Sequence, residues 1–266
     1  MVSNKRTIWI IVAIVAALLC CCVVAVGLAG GLYVARRPVT SELGFSRVTE
    51  RSEQVLGVGP APVLEIDTLA GSITVHSGES GRMRVITTKR GGDSGRLDSI
   101  RIDLSHQEDG VRIRTWRDGT VSGDLAVEFE VYVPADTRLE LSTAAGSITV
   151  NDVRGEIVAN TGAGSVQVRG AAARVNLETG AGDVTYQGDP RGLCTLRTGA
   201  GKITLQLPAV ADVEVDLNTG LGTIDLGGFV VDGEINRDKV VGVIGTGEAA
   251  TLVVQTAVGD ISLAGR

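Results

Sequence analysis

The feature that most constrains this chain is a short motif that returns seven times at nearly even spacing. It reads Thr68-Leu-Ala-Gly71-Ser-Ile-Thr-Val75, Thr143-Ala-Ala-Gly146-Ser-Ile-Thr-Val150, Thr161-Gly-Ala-Gly164-Ser-Val-Gln-Val168 and Thr179-Gly-Ala-Gly182-Asp-Val-Thr-Tyr186. The series continues as Thr198-Gly-Ala-Gly201-Lys-Ile-Thr-Leu205, Thr219-Gly-Leu-Gly222-Thr-Ile-Asp-Leu226 and Thr256-Ala-Val-Gly259-Asp-Ile-Ser-Leu263. From Gly146 onward the glycines step by 18, 18, 19 and 21 residues, and the last step of 37 is close to two periods. A unit of that length cannot bury an apolar face alone but can do so against copies of itself, which makes a solenoid the expected architecture.

The phase of the apolar residues gives each unit its shape. Two and four residues before each threonine stand pairs such as Leu139/Leu141, Val175/Leu177 and Val215/Leu217, and five and seven residues after it stand Ile148/Val150, Val184/Tyr186 and Ile224/Leu226. Each arm alternates with period two, as a half-buried strand does. The parity changes across Thr-x-x-Gly, so the motif is a corner at which one strand ends and the next begins. Gly71, Gly146, Gly164, Gly182, Gly201, Gly222 and Gly259 are the expected corner residues, since glycine tolerates positive φ and lets stacked backbones approach. The chain is therefore expected to be all-β, a parallel β-solenoid with two short strands per coil. Residues 83–133 alternate less regularly and are expected to form wider, irregular coils of the same sheets.

A second feature is the run Thr7–Val34, 28 residues without a charge. About 20 apolar residues cross a bilayer, and Trp9 and Tyr33 sit near the two ends where amphipathic rings favour the interfaces. The run exceeds the usual apolar stretch of a cleaved signal peptide, although cleavage after Ala29 is the competing reading. A lipoprotein reading of Cys20 fails on the bulky Leu19 before it. The expected organisation is a cytoplasmic N-terminus over 1–6, a transmembrane helix over 7–35, a polar juxtamembrane linker over 36–57 and the solenoid over 58–266. Lys5 and Arg6 on one side face Arg36 and Arg37 on the other, so charge does not set the orientation. The nature of the domain places it outside the cytoplasm, in a single-pass protein of the cell membrane.

Without those four flanking cations, the chain carries 21 basic against 31 acidic residues. That balance disfavours nucleic acid as a partner. Cys20, Cys21 and Cys22 lie in the apolar run, which leaves Cys194 alone in the remainder, too few for an internal disulfide or a zinc site. By phase Cys194 points inward, near Val175 and Val215.

The segment Val131-Tyr-Val-Pro134-Ala-Asp-Thr-Arg-Leu139-Glu-Leu141-Ser-Thr143-Ala-Ala-Gly146-Ser-Ile-Thr-Val150, with the Gly-Ala-Gly repeats after it and the late Gly245-Thr-Gly247 and Thr256-Ala-Val-Gly259-Asp-Ile stretches, resembles a known family. This is the bacterial putative-adhesin, or toast-rack, family, domain of unknown function 4097, and the resemblance covers about residues 58–266. It implies a β-solenoid of bacterial envelopes, sometimes linked to envelope-stress systems, and brings no catalytic residues.

Three pieces of chemistry are suggested and fail. Gly199-Ala-Gly201-Lys202-Ile-Thr204 resembles the end of a phosphate loop but lacks the earlier glycine, where Leu196 stands, and the hydroxyl after lysine, where Ile203 stands. The residue after each corner glycine runs Ser147, Ser165, Asp183, Lys202, Thr223 and Asp260, which is no cage for a cation that wants 6–8 oxygens. His76 and His106 have no triad or metal-ligand spacing and read as surface residues. No catalytic, cofactor or metal residues are assigned.

The outward residues before the threonines, Ser142, Asn160, Glu178, Arg197 and Asn218, form a polar row in which Glu178 should neighbour Arg197. The expected role is a binding, adhesion or envelope-interaction module for an envelope glycan or protein. The alternative is a sensory or structural element of an envelope-stress system. A carbohydrate-active enzyme is the second alternative, resting on Glu178, Asp183, Asp216 and Asp225 as candidate carboxylates. It is disfavoured because Trp116 and the inward-pointing Tyr186 are the only ring platforms of note.

Overall fold

The computed structural model describes residues 48–92, 97–107, 109–118 and 125–266. The hydrophobic run Thr7–Val34 lies outside the described residues. Among those described, no helix is long and apolar enough to cross a membrane. Residues Ser46–Arg266 form one compact unit, and its described residues build a 10-stranded and an 11-stranded sheet.

Alternation in the sequence becomes two facing sheets. Strands that lead into a corner, such as Ile157–Ala163 and Val175–Ala181, pair in parallel in the larger sheet. Strands that leave it, such as Val166–Ala171 and Val184–Gly188, pair in parallel in the smaller one. Inward rows run coil to coil without slipping: Leu141, Ala159 and Leu177 in one sheet, Val150, Val168 and Tyr186 in the other. All six are essentially buried. A register slip of one residue would turn such a row outward, so the apolar pattern itself fixes the pairing.

The order of the coils differs from the order of the sequence at both ends. The last coil, Ala250–Val258 with Ile261–Gly265, lies between the coil of Gly192–Ala200 and that of Val213–Leu221. The 37-residue step from Gly222 to Gly259 is thus an excursion and a return. The chain passes through an antiparallel hairpin, Asp232–Ile235 with Lys239–Ile244, which closes this end of the larger sheet. Cys194 consequently neighbours Leu252, and Val215 lies one coil further on than sequence order suggests.

At the other end, Gly110–Arg117 and Ala126–Val133 form a coil stacked outside Val63–Ala70 and Ile73–Ser77. Antiparallel strands finish it: Ile100–Gln107 on one sheet, and Arg82–Gly91 followed by Val48–Gly57 on the other. The irregular coils expected over 83–133 belong to the same sheets, but half of their strands run antiparallel. The strand Val48–Gly57 also takes in the last ten residues of the expected linker. It is held by a ten-pair ladder to Arg82–Gly91 and by Glu50–Lys89 and Glu53–Arg84 ion pairs at 3.4 and 3.6 Å.

Candidate functional site: a trough along the Thr-x-x-Gly corners

Each corner is built from a threonine whose side chain turns inward, into a row otherwise made of Val, Leu and Ile. The threonines are 2–6% exposed. A buried hydroxyl needs a partner, and each finds one in the next coil. Thr161 Oγ1 donates to the Gly146 carbonyl at 2.9 Å, Thr179 to Gly164 at 2.8 Å, and Thr198 to Gly182 at 2.9 Å. Thr256 donates to Gly201 at 3.3 Å and Thr219 to Gly259 at 2.8 Å, which follows the spatial order of the coils and not their order in the chain. Thr143 donates to Gly71 at 3.3 Å.

The glycine of the corner satisfies two demands together. Gly71, Gly146, Gly164, Gly182, Gly201 and Gly259 have φ between +126° and +156°. A Cβ on Gly182 would lie 2.2 Å from the Gly164 carbonyl oxygen, and one on Gly222 would lie 2.1 Å from that of Gly259. The seven corner glycines therefore stack as one column, in the order 71, 146, 164, 182, 201, 259, 222.

After every corner threonine except Thr68, which is followed by Leu69, the side chain is small: Ala144, Gly162, Gly180, Gly199, Ala257 and Gly220. This leaves a trough of about 940 Å³ on the outer face of the larger sheet. Its side is the row Ser142, Asn160, Glu178, Arg197, Gln255 and Asn218, each directly opposite the next. Five intercoil steps of about 4.8 Å make it about 24 Å long. At its middle Arg197 reaches both neighbours, Glu178 Oε1 at 3.4 Å and Gln255 Oε1 at 3.2 Å. Gln255 precedes Thr256 and so belongs to the same row, but it stands between Arg197 and Asn218 only because the final coil is inserted there.

The four candidate carboxylates do not meet. Glu178 stands in the trough beside Arg197, whereas Asp183 accepts from the Lys202 backbone N–H at 2.8 Å on the corner itself. Asp216 lies between Val253 and Val241 near the end of the larger sheet. Asp225, in the other sheet, accepts from the Gly227 N–H at 3.0 Å. Asp260 sits next to Lys202 and caps Thr223, accepting from its N–H and hydroxyl at 2.8 and 2.9 Å. The Thr223 backbone bond, then its hydroxyl, hold the Asp260 carboxyl below the usual carboxylate range. No cluster of three or more metal-ligating side chains occurs among the described residues.

His106 is exposed, as expected of a surface residue, and His76 is half-buried; both are engaged. His76 stacks on Tyr132 with ring centroids 5.1 Å apart and lies 3.4 Å from the Asn151 amide. His106 donates through Nε2 to the Gly57 carbonyl at 2.7 Å. Tyr186 is fully buried, as its phase requires, and Cys194 is buried with burial raising its thiol pKa.

No protein-family model matches this sequence, and no curated protein does. Solved structures that the fold resembles include a putative cell adhesion protein from Clostridium sporogenes, at 17% identity and a TM-score of 0.44, with 82% of this chain and 100% of that one covered. A putative adhesin from Bacteroides fragilis aligns at 9% identity and a TM-score of 0.30, covering 80% of this chain and 97% of its own. One from Parabacteroides distasonis aligns at 9% identity and 0.24, with 80% and 97% covered. At these values the likeness stands as a resemblance to proteins named as adhesins and bears no further weight.

Proposed function

We propose that this chain is a single-pass membrane protein whose solenoid lies outside the cytoplasm and binds, without catalysis, an extended glycan or protein of the cell envelope. The observation that carries this reading is the trough: one polar row repeated across six coils, on a floor kept open by glycine and alanine. Such a site offers a polar side chain every 4.8 Å or so, which suits a polymer lying along the stack and not a compact small molecule. Of the four candidate carboxylates only Glu178 lines the trough, and glycan cleavage works through a pair of carboxyl groups flanking the scissile bond, so the row supports binding over acid–base work.

The test compares the full chain in detergent with a variant carrying Asn160→Ala, Glu178→Ala and Arg197→Ala, each sedimented with purified envelope glycan and with envelope protein. Binding at least about tenfold weaker in the variant, a loss of about 1.4 kcal/mol, supports the trough. Equal binding removes it as the site, and release of reducing ends from the glycan by the wild type would make the protein an enzyme.

A further inference from the structure

The strand Val48–Gly57 ends the smaller sheet. It pairs with Arg82–Gly91 on one side over ten consecutive residues with no shift of register, and among the described residues no strand pairs with its other side. An edge of this length is a template for another chain unless something blunts it. Proline and bulges are absent here, and Thr49–Val55 is exposed throughout. Charge is the remaining protection, and its arrangement is self-complementary.

In an antiparallel pair related by a two-fold axis through the sheet, each residue must face one on the same side of the pleat, so the axis passes midway between the two copies of one residue. Centred on Arg51 the pair would oppose two arginines, and centred on Glu53 two glutamates; like charges directly opposite are destabilising. Centred on Ser52, Arg51 faces Glu53, Glu50 faces Gln54, Thr49 faces Val55, and Val48 faces Leu56. No like charges meet in this register. Arg51 has no ion-pair or hydrogen-bond partner among the described residues, unlike Glu50 and Glu53, which are held by Lys89 and Arg84.

We infer that the outer edge of Val48–Gly57 is the contact between two copies of this chain, paired antiparallel about Ser52, with Arg51 of each copy against Glu53 of the other. Two ten-stranded sheets would then continue into one another across an isologous interface, and each edge would cover the other.

Register-specific cross-linking tests it. In the full chain in detergent, with Cys20, Cys21 and Cys22 changed to alanine, Ser52→Cys places two thiols directly opposite at the axis. Mild oxidation should give a disulfide-linked dimer from Ser52→Cys and little from Arg51→Cys or Glu53→Cys, whose self-pairs lie diagonally across the strands. Sedimentation supplies an independent reading: Arg51→Glu sets glutamate against Glu53 and should shift the dimer to monomer. All of these positions lie on an exposed strand, so folding is not at stake. Absence of a cross-link in the Ser52→Cys variant, equal cross-linking at 51, 52 and 53, or a dimer indifferent to Arg51→Glu would overturn the inference. The last outcome would point to association through the hydrophobic run instead.

Discussion

Replacing Thr179 by valine removes one hydroxyl and leaves the volume nearly unchanged, so it isolates the contribution of the intercoil hydrogen bonds. Thr179 is 5% exposed, and its Oγ1 donates to the Gly164 carbonyl at 2.8 Å. Losing a net hydrogen bond costs about 0.5–1.5 kcal/mol, and leaving a carbonyl without a donor costs about 1–3 kcal/mol when it is buried. Gly164 is half-buried, so water recovers part of the second cost and about 1–2 kcal/mol remains. For a unit of this size that lowers Tm by about 2–8 °C. The assay is thermal and urea unfolding of the Ser46–Arg266 unit followed by circular dichroism. Thr185→Val is the control: Thr185 lies in the neighbouring sheet and faces outward, and its loss should stay within about 0.5 kcal/mol. Two results would refute the reasoning: Thr179→Val as stable as the wild type, or a control that costs as much.

Three further outcomes follow from the same geometry. Gly182→Val adds to a φ of +146° a Cβ 2.2 Å from the Gly164 oxygen; backbone strain and overpacking of about 1–3 kcal/mol each should lower the urea midpoint far more than Thr179→Val does, and an unchanged midpoint would remove the corner assignment. The Cys194 thiol, buried and shifted upward in pKa by burial, should react with a thiol reagent only at the rate of unfolding, so rapid labelling of the folded unit would contradict the inward register. Asp212 is held low first by the Thr246 hydroxyl and then by backbone N–H groups of its loop, and Asp260 by the Thr223 backbone. A carboxyl whose folded pKa is depressed stabilises above the unfolded range and loses that contribution as pH falls through the folded value. The gap in stability between wild type and Asp212→Ala or Asp260→Ala should therefore be full at neutral pH and close in acid, and a gap constant with pH would show that these carboxylates act by packing alone.

The coil was legible in the sequence because two periodicities overlap in it. Period two within each arm and the parity change at Thr-x-x-Gly placed Leu177, Tyr186 and Cys194 inside, and stacking by one period put Glu178 beside Arg197. The threonines carried a signal that went unused: they share the parity of the apolar residues before them, so they point inward and require a hydrogen-bond acceptor. The order of the coils was not legible, because every coil presents the same column of threonine and glycine and any one fits on any other. Nothing local to Thr256–Gly259 says that it stacks between Gly201 and Gly222. Strand direction in 83–133 was hidden for a related reason, since alternation such as Val111-Ile113 or Val127-Phe129 is the same for parallel and antiparallel pairing. In Val48–Gly57 the polar composition of an edge strand matched that of a linker. The trough was half visible: its polar row, Gln255 included, could be read from the residues before each threonine, but the place of Gln255 between Arg197 and Asn218 follows only from the inserted coil.

The proposal of a binding trough is tested most directly by locating a bound envelope polymer on the surface. An environment-sensitive fluorophore is attached to Asn218→Cys, at one end of the trough, and in a second protein to Arg169→Cys, on the outer face of the other sheet. Each is titrated with the envelope fraction that sediments with the wild type. The account predicts a saturable change from position 218 and none from position 169. A saturable change at 169 with position 218 silent would contradict it.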